Sequence, residues 1–584
     1  LLGISTVTTF GRIISVRGSA ARVGLLATNQ QPISEERMTV GRFVSITCAS
    51  STVVAIITEV SCENLSPGDD YIAIATVDLL GEIFVNNEQS RFRRGVTRYP
   101  TIGDAVGLVS NSDLRTIYAP NGSDKINIGT LQQDPSIIAH VDVEEMLSKH
   151  FVIVGSTGVG KSSGVALILN EILKVRPQLR IFMLDVHNEY GRCFGERALV
   201  LNPRNLKLPF WLFNFEEIVD VLFAGRPGAP EELEILSEVI PIAKGLYTQY
   251  QNPERISLKR SDARQIGFSV DTPVPFRLVD MISLIDERMG KLENRSSRII
   301  YHKLISRIEA VRGDPRYAFM FDNANVGGDT MAEVISLLFR LPDNGQPMTV
   351  MQLAGFPAEV VESVVSVLCR MAFDFGLWSD GASPLLFVCE EAHRYASSDR
   401  NIGFGPTRKA VSRIAKEGRK YGVYLGLVTQ RPAELDTTII SQCNTLFAMR
   451  LANDRDQDLL RAAVSDAAAN ILAFVPTLGT REVMAFGEGV ALPTRLRFNE
   501  VPPHQLPRRE ATIRSGSFIE GHDMQFIEAV LDRWRGATRR DMSSGDSRLG
   551  ERSPSLAASI EPPMLQPSAG FDPDRFSLLK KPLR

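Results

Sequence analysis

The stretch Phe151-Val152-Ile153-Val154-Gly155-Ser156-Thr157-Gly158-Val159-Gly160-Lys161-Ser162 decides the fold class. It satisfies GxxxxGK[ST] at every fixed position, and four apolar residues suited to a buried strand lead into it. Over residues 163–175 the apolar positions Val165, Leu167, Ile168, Leu169, Ile172 and Leu173 suit a helix packed on a sheet. An isolated glycine-rich turn would lack that context; strand, loop and helix together are what a phosphate-binding loop requires. The glycines let successive N–H groups and the helix N-terminus face an anion. Gly155, Ser156, Thr157, Gly158, Val159, Gly160, Lys161, Ser162 and Ser163 are therefore the expected ATP-binding residues. Lys161 would reach the β- and γ-phosphates, and the Ser162 hydroxyl would take one position on Mg²⁺.

Apolar strands ending in polar residues recur downstream. Residues 180–185 form a second buried strand, followed by Val186-His187-Asn188-Glu189-Tyr190. Open α/β sheets present ligand-facing groups at strand C-termini, so Asp185 and Glu189 are candidates for the nucleotide or the Mg²⁺ water shell. Capping of a turn is the alternative role for Asp185. Residues 347–353 resume the sheet, a helix over 359–375 follows, and Leu385-Leu386-Phe387-Val388-Cys389 then runs into Glu390-Glu391. Unpaired buried charge is costly, which argues against a packing role for two adjacent acids at a strand end. Glu390 would hold the Mg²⁺ water shell, and Glu391 would orient or deprotonate the attacking water. A basic helix over 409–421 precedes a strand over 423–428, whose polar end, Thr429-Gln430, is placed to sense the γ-phosphate or merely to make a loop contact. Strands over 445–451 and 482–486, with a helix over 454–474 between them, complete the sheet.

A chain of 584 residues exceeds one core and suggests three or four domain-sized pieces. Residues 1–135 read as an all-β small barrel, with strands at 12–16, 43–47, 53–57 and 71–77. Residues 136–204 and 346–500 form the ATPase core, and 205–345 a mostly helical insertion with a loop or hairpin near 252–275. Residues 501–584 form a C-terminal extension, with one helix at 523–535 and then an extended or disordered tail rich in Ser, Pro and Arg. Arginines mixed with aromatics over 91–99 suit a solvated strand face better than a nucleic-acid surface. The basic residues of 295–312 are expected to pair with Glu287, Glu293 and Glu309. Hydrophobic content of 44% and charged content of 23% suit a globular protein. No membrane span, signal peptide or disulfide framework is expected, and the six scattered cysteines point to a reducing, cytoplasmic setting. The absence of an initiator Met leaves room for residues ahead of Leu1. A net charge of −3 means that any nucleic-acid contact must come from a local basic surface.

Four stretches together resemble the HerA family, in the FtsK–HerA branch of hexameric P-loop ATPases. They are the loop preceded by His150, Asp185-Val186-His187-Asn188-Glu189-Tyr190, Glu390-Glu391-Ala392-His393, and Lys416-Glu417-Gly418-Arg419-Lys420-Tyr421-Gly422 leading into Thr429-Gln430-Arg431-Pro432. The resemblance implies a RecA-like core, an N-terminal barrel like the family's HAS barrel, and a homo-hexameric ring that drives double-stranded DNA through a central channel. It implies Arg419 as an arginine finger acting in trans and Gln430 as a sensor, with Arg413 and Arg431 as competitors for the finger. It also implies an effector partner, such as a NurA-type nuclease in DNA end processing, or a sirtuin-like or nuclease protein in phage defence. Glu390 departs from the pattern, standing where an Asp is common and reaching one methylene further. A ring scaffold that assembles an effector with little translocation is the alternative from another class. Stimulation of hydrolysis by duplex DNA separates the two. Arg394, Arg400, Arg408 and Lys409 are the candidate channel residues.

Overall fold

Runs of β-branched residues broken by Gly, Pro and Asn close a barrel in the first part of the chain. The computed structural model describes residues 9–26, 39–62, 71–86, 89–119, 122, 124–251, 267–322, 328–463, 471–508, 527, 528 and 531. Strands β1 (Gly11–Arg17), β2 (Ala20–Leu26), β3 (Phe43–Thr47), β4 (Thr52–Ser61), β5 (Tyr71–Asn86), β6 (Gln89–Arg94) and β7 (Ala105–Leu108) form one antiparallel sheet. Their order is β2-β1-β7-β3-β4-β5-β6, and β2 also pairs with β5, so six strands close and β6 lies outside on β5. Alternation fills the interior: Val53, Ala55 and Ile57 of β4 point inward with Val44 and Ile46 of β3. Val54 and Ile56 face the other way and join the core of the following domain. The arginine-rich stretch begins on β6, where Arg93 pairs with the buried Glu82.

Chain order then gives α1 (Asn111–Ile117), β8 (Lys125–Leu131), β9 (Ile138–Asp142), α2 (Val143–Ser148), β10 (Phe151–Val154), α3 (Lys161–Val175), β11 (Arg180–Asp185) and β12 (Ala198–Leu201). Six helices follow: α4 (Phe215–Phe223), α5 (Pro230–Gln251), α6 (Leu278–Gly290), α7 (Arg295–Gly313), α8 (Ala318–Phe321) and α9 (Met331–Phe339). The sheet resumes with β13 (Met348–Gln352), α10 (Val361–Trp378), β14 (Leu385–Cys389), α11 (Gly405–Glu417) and β15 (Val423–Thr429). It ends with α12 (Thr437–Ile440), β16 (Thr445–Ala448), α13 (Asp454–Ala463), β17 (Glu482–Gly487) and β18 (Thr494–Phe498). The strand order is β12-β13-β11-β14-β15-β10-β16-β17-β18-β8-β9. From β12 to β16 the pairs are parallel, and from β16 to β9 they are antiparallel. The parallel strands β10, β13 and β14 are buried at every residue, which is why they read as unbroken apolar runs.

The connection from β10 to β11 passes over β15 and β14, while β16 lies on the other flank of β10. The C-terminal end of β10 is thus a switch point, where open α/β sheets place ligands. The α/β class, phosphate-loop core and closed N-terminal barrel agree with the sequence. Details differ. β8 pairs with β18 in the larger sheet, so the barrel gives way to that sheet before residue 135. Within the helical insertion the chain breaks after α4 at Ala224 and Gly225, both at positive φ. Arg307 pairs with Glu232 of α5 and stacks on Phe223 rather than pairing along its own helix. The helix expected at 454–474 is described only as α13 and a 3-10 turn, Leu472–Thr477. Most of 252–275 and nearly all of the helix expected at 523–535 lie outside the described residues. Among the described residues no helix is long and apolar enough to cross a membrane.

One buried ion pair joins the helical segment to the sheet. Glu217 of α4 is fully buried and completes a capping box with Asn214. Its carboxylate also accepts from Ser366 Oγ at 2.8 Å and from Arg370 Nη2 at 2.8 Å, both on α10. Removing one partner of a buried pair leaves an uncompensated charge, at a cost of about 3–5 kcal/mol. Arg370→Met should therefore lower the unfolding midpoint markedly, and Arg370→Met with Glu217→Gln should recover part of the loss. A melt of the single variant that overlays the unaltered protein would show that Glu217 is satisfied without Arg370.

Candidate nucleotide site

The loop after β10 is shaped by its glycines. Gly158 and Gly160 have φ of 79° and 98°, and a Cβ at Gly158 would meet nothing within 4 Å. The backbone is therefore bare on the side where phosphate oxygens approach. Ser156 N and Oγ bond Arg450 O at 3.0 and 2.9 Å, tying the loop to the residue after Met449. Lys161 opens α3 and is buried, with Nζ 3.6 Å from Glu391 Oε1. Ser162 Oγ faces Glu189 Oε2 at 3.4 Å. Val159 is fully buried, so within the loop it serves as the apolar anchor.

The carboxylates gather at the same strand ends. Asp185 Oδ1 and Oδ2 accept from Glu189 N (3.0 Å) and Tyr190 N (2.9 Å), the geometry of a turn cap. Burial nonetheless raises its pKa above the ordinary value. Glu390 accepts from Val186 N at 3.1 Å; burial first, and then the charge of Asp185, push its pKa up to about 8. Glu391 sits in left-handed backbone at φ 47°, as non-glycine residues at functional sites often do. Its Oε1 takes Lys161 and the Gln430 amide, while its Oε2 accepts no hydrogen bond. His393 Nδ1 is 3.4 Å from that Oε2, but is directed to Thr429 Oγ1 at 3.1 Å. Asp185, Glu390 and Glu391 are all nearly inaccessible, with Lys161 the buried cation among them. Among the described residues no three such side chains are arranged to hold a metal directly, so a divalent cation here would rest on Ser162, Glu390 and water, as Mg²⁺ commonly does beside phosphates.

β15 brings Gln430 into this group. Its side chain receives the Thr157 hydroxyl and donates to Glu391, bridging the loop and the acidic pair. The three arginines are dispersed. Arg431 follows Gln430 and pairs with Glu434 at 2.9 Å on the exposed rim. Arg413 of α11 stacks 4.0 Å from the Phe373 ring centroid and lies 3.4 Å from Asp374. Arg419 stands in the 3-10 turn Gly418–Tyr421 ahead of β15, exposed and without an ion pair among the described residues. β10 and β15 are parallel, with Val154 level with Thr429, so the loop leaves one end of β15 and Arg419 stands at the other. At ~3.3 Å per residue the strand separates the two ends by about 20 Å. Arg419 is therefore out of reach of its own loop.

Residues 126–372 match the family model described as the central domain of helicase HerA. The chain is 26% identical over 513 residues to the DNA double-strand break repair helicase HerA of Pyrococcus furiosus, covering 82% of this chain and 85% of that protein. It is 24% identical over 414 residues to the protein of the same name from Sulfolobus acidocaldarius, covering 69% and 74%. Among solved structures, VirB4 of Thermoanaerobacter pseudethanolicus aligns with a TM-score of 0.43 at 14% identity, over 66% of this chain and 99% of that one.

Two contributors to the site carry little signal of their own in the sequence. Arg481 N donates to Val159 O at 2.9 Å, so the start of β17 supports the loop from behind. His150 is buried at φ 61° immediately ahead of β10. Its Nδ1 lies 2.9 Å from Leu425 N and its Nε2 3.1 Å from Ala415 O. A backbone N–H only donates and a carbonyl only accepts, which fixes a neutral ring protonated on Nε2. Burial pushes its pKa down to about 4, in keeping with that state. A lone histidine beside a loop motif gives no hint of either partner. His150→Leu would strand a buried N–H and a buried carbonyl, at about 1–3 kcal/mol each. The unfolding midpoint should fall while affinity for a non-hydrolysable ATP analogue stays close to the original. An unchanged melting curve would mean that these two groups are satisfied without the ring.

Proposed function

Since the chain belongs to the HerA family of P-loop ATPases and is an ATP-hydrolysing enzyme, we propose that it is a DNA translocase of the helicase type, assembled as a homo-hexameric ring. The observation that carries the ring is the position of Arg419, exposed, unpaired among the described residues and at the end of β15 remote from its own loop. A finger role for Arg419, adding to the charge that Lys161 supplies in cis, then requires a neighbouring copy. Arg413 is a weaker finger because Phe373 and Asp374 already hold it. Double-stranded DNA as the track, and a nuclease or other effector as partner, follow from the DNA-repair names of the relatives and from the family.

In the proposed mechanism the bare backbone of the loop and the N-terminus of α3 cradle the phosphates. Lys161 exchanges its contact with Glu391 for the β- and γ-phosphate oxygens. Ser162 and Glu390 would hold Mg²⁺, which supplies charge neutralisation on the phosphates; Glu189 stands beside Ser162 to join its water shell. Released from Lys161, Glu391 accepts a proton from the attacking water; its Oε2 accepts no hydrogen bond, with His393 Nδ1 3.4 Å away. Gln430 touches both Thr157 and Glu391, so it reports the arrival of the γ-phosphate to the base. Removing a general base commonly costs about 10²–10⁴ in rate.

Basic side chains after β14 are the proposed DNA contacts. Arg394 and Arg400 are exposed, Arg408 Nη1 bonds Asp399 O at 3.2 Å, and Lys409 lies 3.7 Å from Glu216. Arg394 and Arg400 are thus the freer pair.

Glu391→Gln should bind ATP and hardly hydrolyse it, whereas Lys161→Ala should lose binding; near-normal turnover by Glu391→Gln would move the base elsewhere. Arg419→Ala subunits should be inactive alone, since an arginine finger contributes roughly 10³–10⁵ in rate. Mixed with Lys161→Ala subunits they should regain hydrolysis, because an intact loop then meets an intact arginine. Mixed rings that form but stay silent would mean that Arg419 acts in cis or that hydrolysis needs several intact sites in sequence, and normal hydrolysis by Arg419→Ala alone would overturn the finger assignment. Duplex DNA should stimulate hydrolysis, and the effect should decline with salt as counterion release weakens. Absence of stimulation in the assembled protein would favour the scaffold.

A further inference from the structure

We propose that the nucleoside half of the substrate, its ribose and base, occupies a separate cavity formed by the first turn of α3, the Arg481–Glu500 ion pair and a strap over residues 499–506. The proposal rests on residues 155–163 being a nucleotide loop and extends it to a part of the substrate that the loop does not touch.

The direction of the substrate follows from the site. Lys161, Glu391 and Gln430 mark the γ-phosphate end, and Ser162 turns toward Glu189 on the cation side. Ser163 is the next residue of the helix, turned by about 100°. With Gly160 and Gly164 it opens into a cavity of about 330 Å³ whose far walls are Arg481, Phe498 and the strap. Small-ligand sites run from roughly 300 to 1,000 Å³, so one ribose and base suit this space.

Arg481 is built into the loop. It holds a left-handed φ of 65°, its N donates to Val159 O at 2.9 Å, and its Cγ would lie 3.3 Å from a Cβ on Gly160. Its Nη2 lies 2.8 Å from Glu500 Oε1, which keeps the guanidinium at the cavity wall. A guanidinium plane offers a base a stacking face. A carboxylate at the rim can accept from ribose hydroxyls, as acidic residues do in dinucleotide sites. The strap is fastened at both ends: Phe498 N bonds Arg481 O at 2.9 Å, and Arg508 N bonds Glu189 O at 3.0 Å. It therefore runs from the nucleoside side to the cation side of one substrate.

Titration calorimetry of the full chain with Mg²⁺ tests this, using a non-hydrolysable ATP analogue and inorganic tripolyphosphate as separate probes. Arg481→Asn removes the guanidinium and keeps a residue that tolerates left-handed backbone. It should weaken the analogue about tenfold, as expected for loss of a cation–π contact, and leave tripolyphosphate unchanged. Equal weakening of both probes would make Arg481 a mere support of the loop, and no weakening would empty the cavity of its role; either overturns the proposal. Glu500→Gln alters a side chain that is 83% exposed, so folding is not at stake. It should bring the affinities for ATP and 2′-deoxy-ATP together; an unchanged preference, or none in the unaltered protein, overturns the ribose contact. Lys161→Ala separates the two layers, since it should weaken both probes. If it weakens neither, the loop assignment itself fails; if it weakens both while Arg481→Asn is neutral, only the cavity assignment fails.

Discussion

The pairing of β15 with β14 on one side and β10 on the other holds the site together. Cys389 is level with Leu427 and Val154 with Thr429, so three strand ends emerge side by side. One delivers the acidic pair, one the loop and one Gln430. Gly426 is part of that constraint: a Cβ there would meet the Phe151 ring at 2.6 Å. A side chain at this one position would force the Phe151 ring, and with it the start of β10, to move. The same strand sets Arg419 apart from Gln430, so a single element fixes both the near end of the site and the distance of Arg419 from it.

Charge explains why this end of the sheet cannot be merely structural. Asp185, Glu390 and Glu391 are buried with Lys161, and burial drives the Asp185 and Glu390 carboxyls toward protonation. A core would remove such groups rather than keep them. Asp185 is satisfied by backbone N–H groups, Glu390 by Val186 N, and Glu391 only on one oxygen. That gradation runs from fully used to half used, and it is what the proposed roles of Glu390 on the cation and Glu391 on the proton would need.

Legibility in the sequence followed burial. The parallel strands stood out because both faces are covered, so that Phe151 to Val154 and Leu385 to Cys389 are uninterrupted apolar runs. β2 carries little strand signal because Ala20-Ala21-Arg22-Val23-Gly24 has weak strand preference and is held by pairing with β1 and β5. β8, β9 and β18 alternate and were hidden among turns; only the sheet reveals that β8 belongs with β18. The gathering of Lys161, Glu189, Glu390, Glu391 and Gln430 follows from motif spacing once the strands are parallel. The engagement of Arg413 by Phe373 and the ring of His150 between Ala415 and Leu425 are tertiary facts with no local signature.

The pairing of β8 with β18 joins two parts of the chain that are distant in sequence. Phe498 is level with Gly129 and Leu496 with Leu131; the strap begins one residue after Phe498, and the barrel ends shortly before β8. The pair resists sliding, because a slip of one residue would turn the buried Leu496 and Phe498 out to solvent. It behaves as a gear with one tooth setting: whatever displaces the strap along its length must act on β8 as well.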